Sequence, residues 1–380
     1  MKHLISISCL VLCLLLAGCG HDEPDAPAQP ARRTILVYMI ASNSLGNNQR
    51  DQQDLAEMDA AVAQGVLDGC RLLVYRVGPG DEAPQLFEVR QGRAGEAVHE
   101  TLVTYDAAQQ ASVTVERMSR VIADALREAP AADYGLVLWS HATGWAPALT
   151  TQPAGAAAPR RVFGEDNGAT MPLHELAQAI PAGTFSWIYA DVCYMGGIEV
   201  AYQLRDRCRW FAGYATEIPA RGMPYDLTLP LLCAPEADLV GACRATYEHY
   251  NALTGQERTF TGVVVDCSQL AALAALCRDI HAAGITPDLA RVQCYNLRAS
   301  RFLYDFLQYT QACCSGDDQL QQLHDLYNKV AVYRAATPWV FNRFVIDTAR
   351  FSGLSTYAMG TSPGLNQDYY LTLDWYRDVY

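Results

Sequence analysis

The stretch YADVCYMGG, Tyr189–Gly197, runs an apolar strand into an aspartate, a cysteine and two glycines. A cysteine used only as a small buried hydrophobe needs neither an acid two residues before it nor a glycine pair behind it. The strand that feeds it, Phe185–Ala190 (FSWIYA), is apolar throughout, as a strand covered on both faces must be. The same reading applies to Thr34–Ala41 (TILVYMIA), Arg71–Val77 (RLLVYRV), Tyr134–Ser140 (YGLVLWS), Trp210–Ala215 and Thr261–Val265. Helical spacing separates them at Asp54–Val66, Val113–Ala129, Met171–Ile180 and Glu199–Leu204, while Leu86–Arg90 suits an edge hairpin. Alternating strands and helices predict an α/β fold, a three-layer α/β/α sandwich around a mostly parallel central sheet. From Ser268 to about Arg334 the chain reads as mainly helical. Leu354–Tyr380 alternates aromatic and polar residues as one or two closing strands would.

Strand ends then indicate where chemistry sits. In a parallel sheet, reactive groups gather beyond the carboxyl ends of the strands. Tyr134–Ser140 delivers His141 (LVLWSHATGW), and Phe185–Ala190 delivers Asp191 and Cys193. Met171–Ile180 lies between them, so a right-handed crossover sets the two strands side by side. The strand period of two aims Asp191 and Cys193 to one side. A free thiol has a pKa of about 8.5 and needs an imidazole or another positive influence to react near neutrality. Gly196 and Gly197 let the next helix begin close by, where N–H groups favour an anion. Singly, a cysteine after a strand is an ordinary core residue and a histidine there an ordinary polar one. Their joint position favours chemistry. Ser140 forms no dyad with His141, because adjacent strand residues point opposite ways. His174, His249 and His324 fall in helical patterns and read as surface residues.

The ends and the composition bound the rest. Residues 1–18 combine a basic start with a short apolar core, the layout of a secretory signal peptide. Leu16-Ala17-Gly18-Cys19 resembles a bacterial lipoprotein cleavage box, which makes Cys19 the expected lipidation site and residues 19–32 a flexible tether. The chain is then expected to be anchored in the cell envelope through that lipid. The core is expected over 33–267, and a helical portion with closing strand or strands over 268–380. Ten of the thirteen cysteines remain beyond Cys19, with no CxxC pair and no HExxH, so zinc spacing is absent. Most read as buried small hydrophobes, with a minority available for bridging. A net charge of −13 argues against nucleic acid or an anionic membrane surface as a partner.

These blocks together resemble the clostripain-like cysteine peptidases, relatives of the caspases and gingipains. The likeness rests on TILVYMIASNSL followed by DLAEM, on LVLWSHATGW, on DVCYMGGIE, on ATEIPARGMPYD, and on the closing GLSTYAM and YYLTLDWY. The resemblance implies a caspase-like fold, a peptide or protein substrate, and cleavage after basic residues. It makes Cys193 the nucleophile and His141 its proton-transfer partner. The backbone N–H groups of Cys193 and Ala142 would hold the oxyanion. Ala142 stands where the family usually has glycine, which narrows the backbone angles available there. Asp191 would receive the basic side chain, with Thr216 and Glu217 as additions. A carboxylate recognises a guanidinium bidentately, which favours arginine over lysine. No cofactor is expected, with calcium left possible because some relatives depend on it, although no Asp/Asn-rich loop of recognised spacing marks a site. Family members are often activated by cutting their own loop between the His and Cys blocks. Ala146–Gly168 fills that interval as a plain surface loop, with Arg160-Arg161 as its basic pair. Two other readings stay open: a caspase-like binding lipoprotein with weak or no turnover, and a thiol amidase acting on small substrates.

Overall fold

The computed structural model describes residues 30–380 apart from 81, 107–110, 147–162, 296–301, 360 and 362–366. Its first strands are β1 (Ala31–Ile40), β2 (Cys70–Val77), β3 (Gln85–Gln91), β4 (Ala97–Thr104) and β5 (Ala131–Trp139). A small hairpin follows, β6 (Phe163–Asp166) and β7 (Ala169–Met171). Then come β8 (Phe185–Asp191), β9 (Cys208–Tyr214), β10 (Thr261–Asp266), β11 (Leu303–Asp305) and β12 (Ala331–Ala336). Nine of these form the main sheet in the order β12-β10-β9-β8-β5-β1-β2-β3-β4. The centre, β9-β8-β5-β1-β2, is parallel, and the strands at either edge run antiparallel. The six apolar runs are therefore its interior, and the hairpin expected near Leu86–Arg90 is an edge.

Period two sorts the side chains of each central strand. In β1, Leu36, Tyr38 and Ile40 enter one core, while Ile35, Val37 and Met39 enter the other. The first core is covered by α3 (Val115–Glu128), α4 (Leu173–Ala179), α5 (Ile198–Gln203) and α8 (Leu270–His281). The second is covered by α2 (Arg50–Ala63), α6 (Tyr225–Leu232) and α7 (Leu239–Ala252); α1 (Ser44–Asn47) is a single turn after β1. In α3, Thr114 caps the first turn by accepting from Arg117 N–H. Met118, Val121, Ile122 and Ala125 then repeat at helical spacing along its buried face.

Three expectations change. β12 lies at the end of the stretch read as helix; AVYRAA pairs antiparallel with β10 and closes that edge of the sheet. In the tail, Ser355–Tyr357 is a short strand that pairs with β11 rather than with the main sheet, and Gln367–Tyr370 and Asp374–Val379 are helices. Trp375 and Val379 are buried four apart, a helical spacing that aromatic alternation concealed. Finally, Ala146–Gly168 is not one plain loop to its end. Phe163 is buried and Gly164 N–H bonds to His141 C=O at 2.9 Å. Asp166 is buried too, accepting from Ser42 Oγ and from Ser112 N–H, both at 2.6 Å.

Candidate active site

β5 and β8 are parallel neighbours in which Trp139 pairs with Asp191. Two residues beyond that pair on each strand stand His141 and Cys193. Equal offset from a paired register brings both to the same height at the carboxyl edge, where they line one cleft of about 80 Å³. Leu45, Asp191, Ile218 and Gly222 complete its walls.

The turn that carries Cys193 is pinned from behind. Tyr194, at φ 59°, is left-handed although it is not glycine. Its N–H bonds to Thr216 C=O at 3.0 Å, and Gly196 N–H bonds to Tyr214 C=O at 2.7 Å. A Cβ at residue 196 would lie 2.5 Å from the Tyr214 carbonyl carbon, so only glycine admits this approach. From the other side comes Gly144, at φ 69°. A side chain there would meet Tyr194 C=O at 2.6 Å. The histidine and cysteine blocks thus interlock through backbone.

His141 Nε2 is 2.8 Å from Ser44 Oγ. The Cys193 thiol is pushed up to about 12, first by desolvation and then by the nearby Glu217 and Asp191 carboxyl groups; a hydrogen bond from Ile218 N–H opposes this. As drawn, the sulfur keeps its proton at neutral pH. Asp191 is 3% exposed. Its Oδ2 accepts from Met223 N–H at 3.0 Å and from Tyr225 Oη–H at 3.2 Å, whereas its Oδ1 is buried with no hydrogen-bond partner. Burial pushes this carboxyl up to about 7.

Thr216 does not line the cleft. It is fully buried at the β9–β10 joint, with its hydroxyl 2.7 Å from Thr261 Oγ1, and its carbonyl holds the cysteine turn. What Thr216 offers the site is its carbonyl, which accepts from Tyr194 N–H. Glu217 also lies outside the cleft lining and acts on Cys193 through charge. Ala142 is buried and bridges to Phe163, which ties the histidine loop to the β6–β7 hairpin. Cys19, Arg160 and Arg161 lie outside the described residues. Ser44, in the SNSL turn, is the imidazole's partner here, and nothing in the sequence singles it out. Asn43 fixes that turn by accepting from Leu45 N–H and donating to the carbonyls of Ile40 and Glu165. Met223 and Tyr225, which hold Asp191, stand within ATEIPARGMPYD and carry no signal of that role in the sequence.

A model of the clostripain family of C11 peptidases matches residues 37–331. The chain belongs to the clostripain family. It is similar to a secreted C11 cysteine protease from Bacteroides thetaiotaomicron solved with an irreversible peptide inhibitor. Identity is 28%, with 92% of this chain and 99% of that one covered and a TM-score of 0.78. It is also similar to a C11 protease from Parabacteroides distasonis solved as an inactive zymogen, at 30% identity, the same coverages and a TM-score of 0.77. A further secreted C11 protease from B. thetaiotaomicron, iotapain, matches in fold at 23% identity and a TM-score of 0.79. No curated protein matches. This clostripain-family chain is a cysteine peptidase, hence a hydrolase, on a caspase-like α/β fold. Among the described residues, no cluster of three or more His, Cys, Asp or Glu side chains is placed to hold a metal ion. No described helix is long and apolar enough to cross a membrane.

Proposed function

We propose that this chain is an exported, lipid-anchored endopeptidase that cleaves after basic residues, arginine above lysine, through Cys193 and His141. The observation that carries the reading is the shared register: Cys193, His141 and Asp191 line one cleft, and Asp191 keeps a buried Oδ1 without a hydrogen-bond partner. A substrate guanidinium entering beside Asp191 supplies the donor that Oδ1 lacks and favours the ionised carboxylate. His141 leaves Ser44, takes the thiol proton and stabilises the Cys193 thiolate as imidazolium. The thiolate attacks the carbonyl carbon, with the N–H groups of Cys193 and Ala142 facing the oxyanion. His141 returns the proton to the leaving amine, and water then hydrolyses the thioester.

The protonated thiol and the Ser44-bound imidazole support reading this arrangement as latent, as the similar P. distasonis protease was solved as an inactive zymogen. Cutting after Arg160 or Arg161 is the proposed activation. Export follows from residues 1–18 and anchoring from Cys19; the similar B. thetaiotaomicron protease is described as secreted. The test is an active-site label. An arginyl chloromethylketone should modify Cys193 and block turnover. Reaction only with an uncharged alkylator and hydrolysis only of small amides would favour a thiol amidase, and no selective labelling of Cys193 would favour a binding lipoprotein.

A further inference from the structure

At the opposite edge of the sheet, Cys70 opens β2 and Cys233 caps the end of α6. The Cys70 thiol donates to Cys233 C=O at 3.4 Å. Arg32 Nη2 lies 3.5 Å from Cys70 Sγ and donates to Cys233 C=O at 2.7 Å. Arg33 Nη1 donates to Leu232 C=O at 3.0 Å and to Ala234 C=O at 2.7 Å. Two adjacent arginines at the start of β1 therefore hold the chain on both sides of Cys233 against Cys70. We propose that Cys70 and Cys233 form a reversible disulfide in the folded protein, a modification site separate from the Cys193 cleft.

The surroundings favour thiol–disulfide exchange. The neighbouring Cys233, together with the Arg32 guanidinium, holds the Cys70 thiol below the usual range, so Cys70, on releasing the proton it donates to Cys233 C=O, is the attacking thiolate. It keeps 8% of its surface exposed, against 2% for Cys233. Cys70 attacks a small external disulfide and expels one thiol. Cys233 then attacks the Cys70 sulfur of the mixed disulfide, its proton passing to the second departing thiol. Two protein thiols are oxidised and one external disulfide is reduced to two thiols. Another close pair, Cys208 and Cys267 with sulfurs 4.0 Å apart, lacks this setting: burial pushes the Cys208 thiol well up.

The bond has a position-dependent consequence. Residues 70 and 233 lie on either side of both His141 and Cys193 and of residues 147–162, so the disulfide joins covalently the segments before and after that interval. It also anchors the far end of α6, whose first residue, Tyr225, bonds to Asp191. The export proposed above says where an oxidant is met; the bond itself rests on the local geometry. To test it, the full chain carrying Cys193→Ala is incubated with glutathione disulfide, alkylated in denaturant and mapped by mass spectrometry. The expected result is a cross-linked pair of peptides containing Cys70 and Cys233, lighter than the two thiol peptides by two hydrogens and lost on adding dithiothreitol. With Cys70→Ser the cross-link should vanish and Cys233 should become alkylated. Full alkylation of both thiols after oxidation would overturn the proposal, as would a lasting glutathione adduct on Cys70 beside a free Cys233. Neither result bears on hydrolysis by Cys193, which this experiment does not read.

Discussion

The two edges of the central sheet carry opposite chemistry. At the amino-terminal edge, Arg33 pairs with Asp133 at 2.5 Å, and the carbonyls around Cys233 receive the guanidiniums of Arg32 and Arg33. The thiol there, Cys70, is drawn toward its thiolate. At the carboxyl-terminal edge, Asp191 keeps an unpartnered oxygen, and the Cys193 thiol is held protonated beside two carboxyl groups. The sulfur with the assigned chemistry is thus the harder one to ionise in the resting chain. An edge that is complete in itself holds the fold; an edge that lacks a cation waits for one. The proposed substrate brings that cation as an arginine side chain, and His141 brings a second on turning from Ser44.

The largest effects should come from removing the reacting groups. Cys193→Ala is expected to lower hydrolysis of an arginyl reporter peptide by at least about 10⁴-fold, and His141→Ala by about 10³–10⁴-fold. Neither side chain carries the core, so the melting temperature should move little in a thermal scan. Retained activity in Cys193→Ala would sink the assignment of the carboxyl edge as the reactive one. Next comes the missing cation. Asp191→Asn is expected to cut kcat/KM for an arginyl peptide by roughly 10²–10³-fold, because a charge-paired hydrogen bond in a buried site is lost. The rate at which iodoacetamide modifies Cys193 should change far less. Equal losses would mean that Asp191 supports the nucleophile instead of the substrate.

The same carboxylate makes a pH prediction whose sign is opposite to the usual acid case. Its folded pKa is raised from 3.8 to about 7, so the folded state favours the neutral form. Any stability gained from that neutral form is present below pH 3.8 and is lost as pH rises toward 7. Above that, ionised Asp191 costs the fold on the order of a few kcal/mol. Asp191→Asn should therefore raise the melting temperature at pH 8 while leaving it nearly unchanged at pH 4. Selectivity should run the other way: preference for arginyl over uncharged peptides in the wild type should fall as pH is lowered through about 7. A variant that loses arginine preference and gains no stability at pH 8 would show that the carboxyl is not held in a dry site.

Much of this contrast was legible in the sequence. Continuous apolar runs of strand length suit strands covered on both faces, so the sheet interior could be read directly, and with it the two strand ends that meet at one cleft. The rest depended on partners distant in the chain. Asp166 carries no signal of its own within the Ala146–Gly168 stretch, because Ser42 and Ser112, which bond it, lie far away in sequence. Ser44 reads as one hydroxyl among several until β1 and β5 are set side by side. β12 was hidden in a helical stretch because AVYRAA is short and half-exposed, and only its pairing with β10 makes it a strand. Cys70 and Cys233 carry no spacing signal at all, since β2 and α6 bring them together across most of the core.

The smallest expected effect concerns the hinge of the contrast, the contact between Ser44 and His141. If Ser44 holds the imidazole in the resting position, Ser44→Ala removes a hydrogen bond whose net worth is about 0.5–1.5 kcal/mol. That shifts the balance toward the imidazole facing Cys193 by about two- to tenfold, and Cys193 should then react faster with iodoacetamide by the same factor. If Ser44 instead orients the imidazole for catalysis, the loss should slow both alkylation and hydrolysis. The alkylation rate against pH separates the two cases. Release from the resting position should lower the apparent thiol pKa from its raised value, because a neighbouring imidazolium now stabilises the thiolate. Loss of orientation should leave that pKa where it was and lower the rate at every pH.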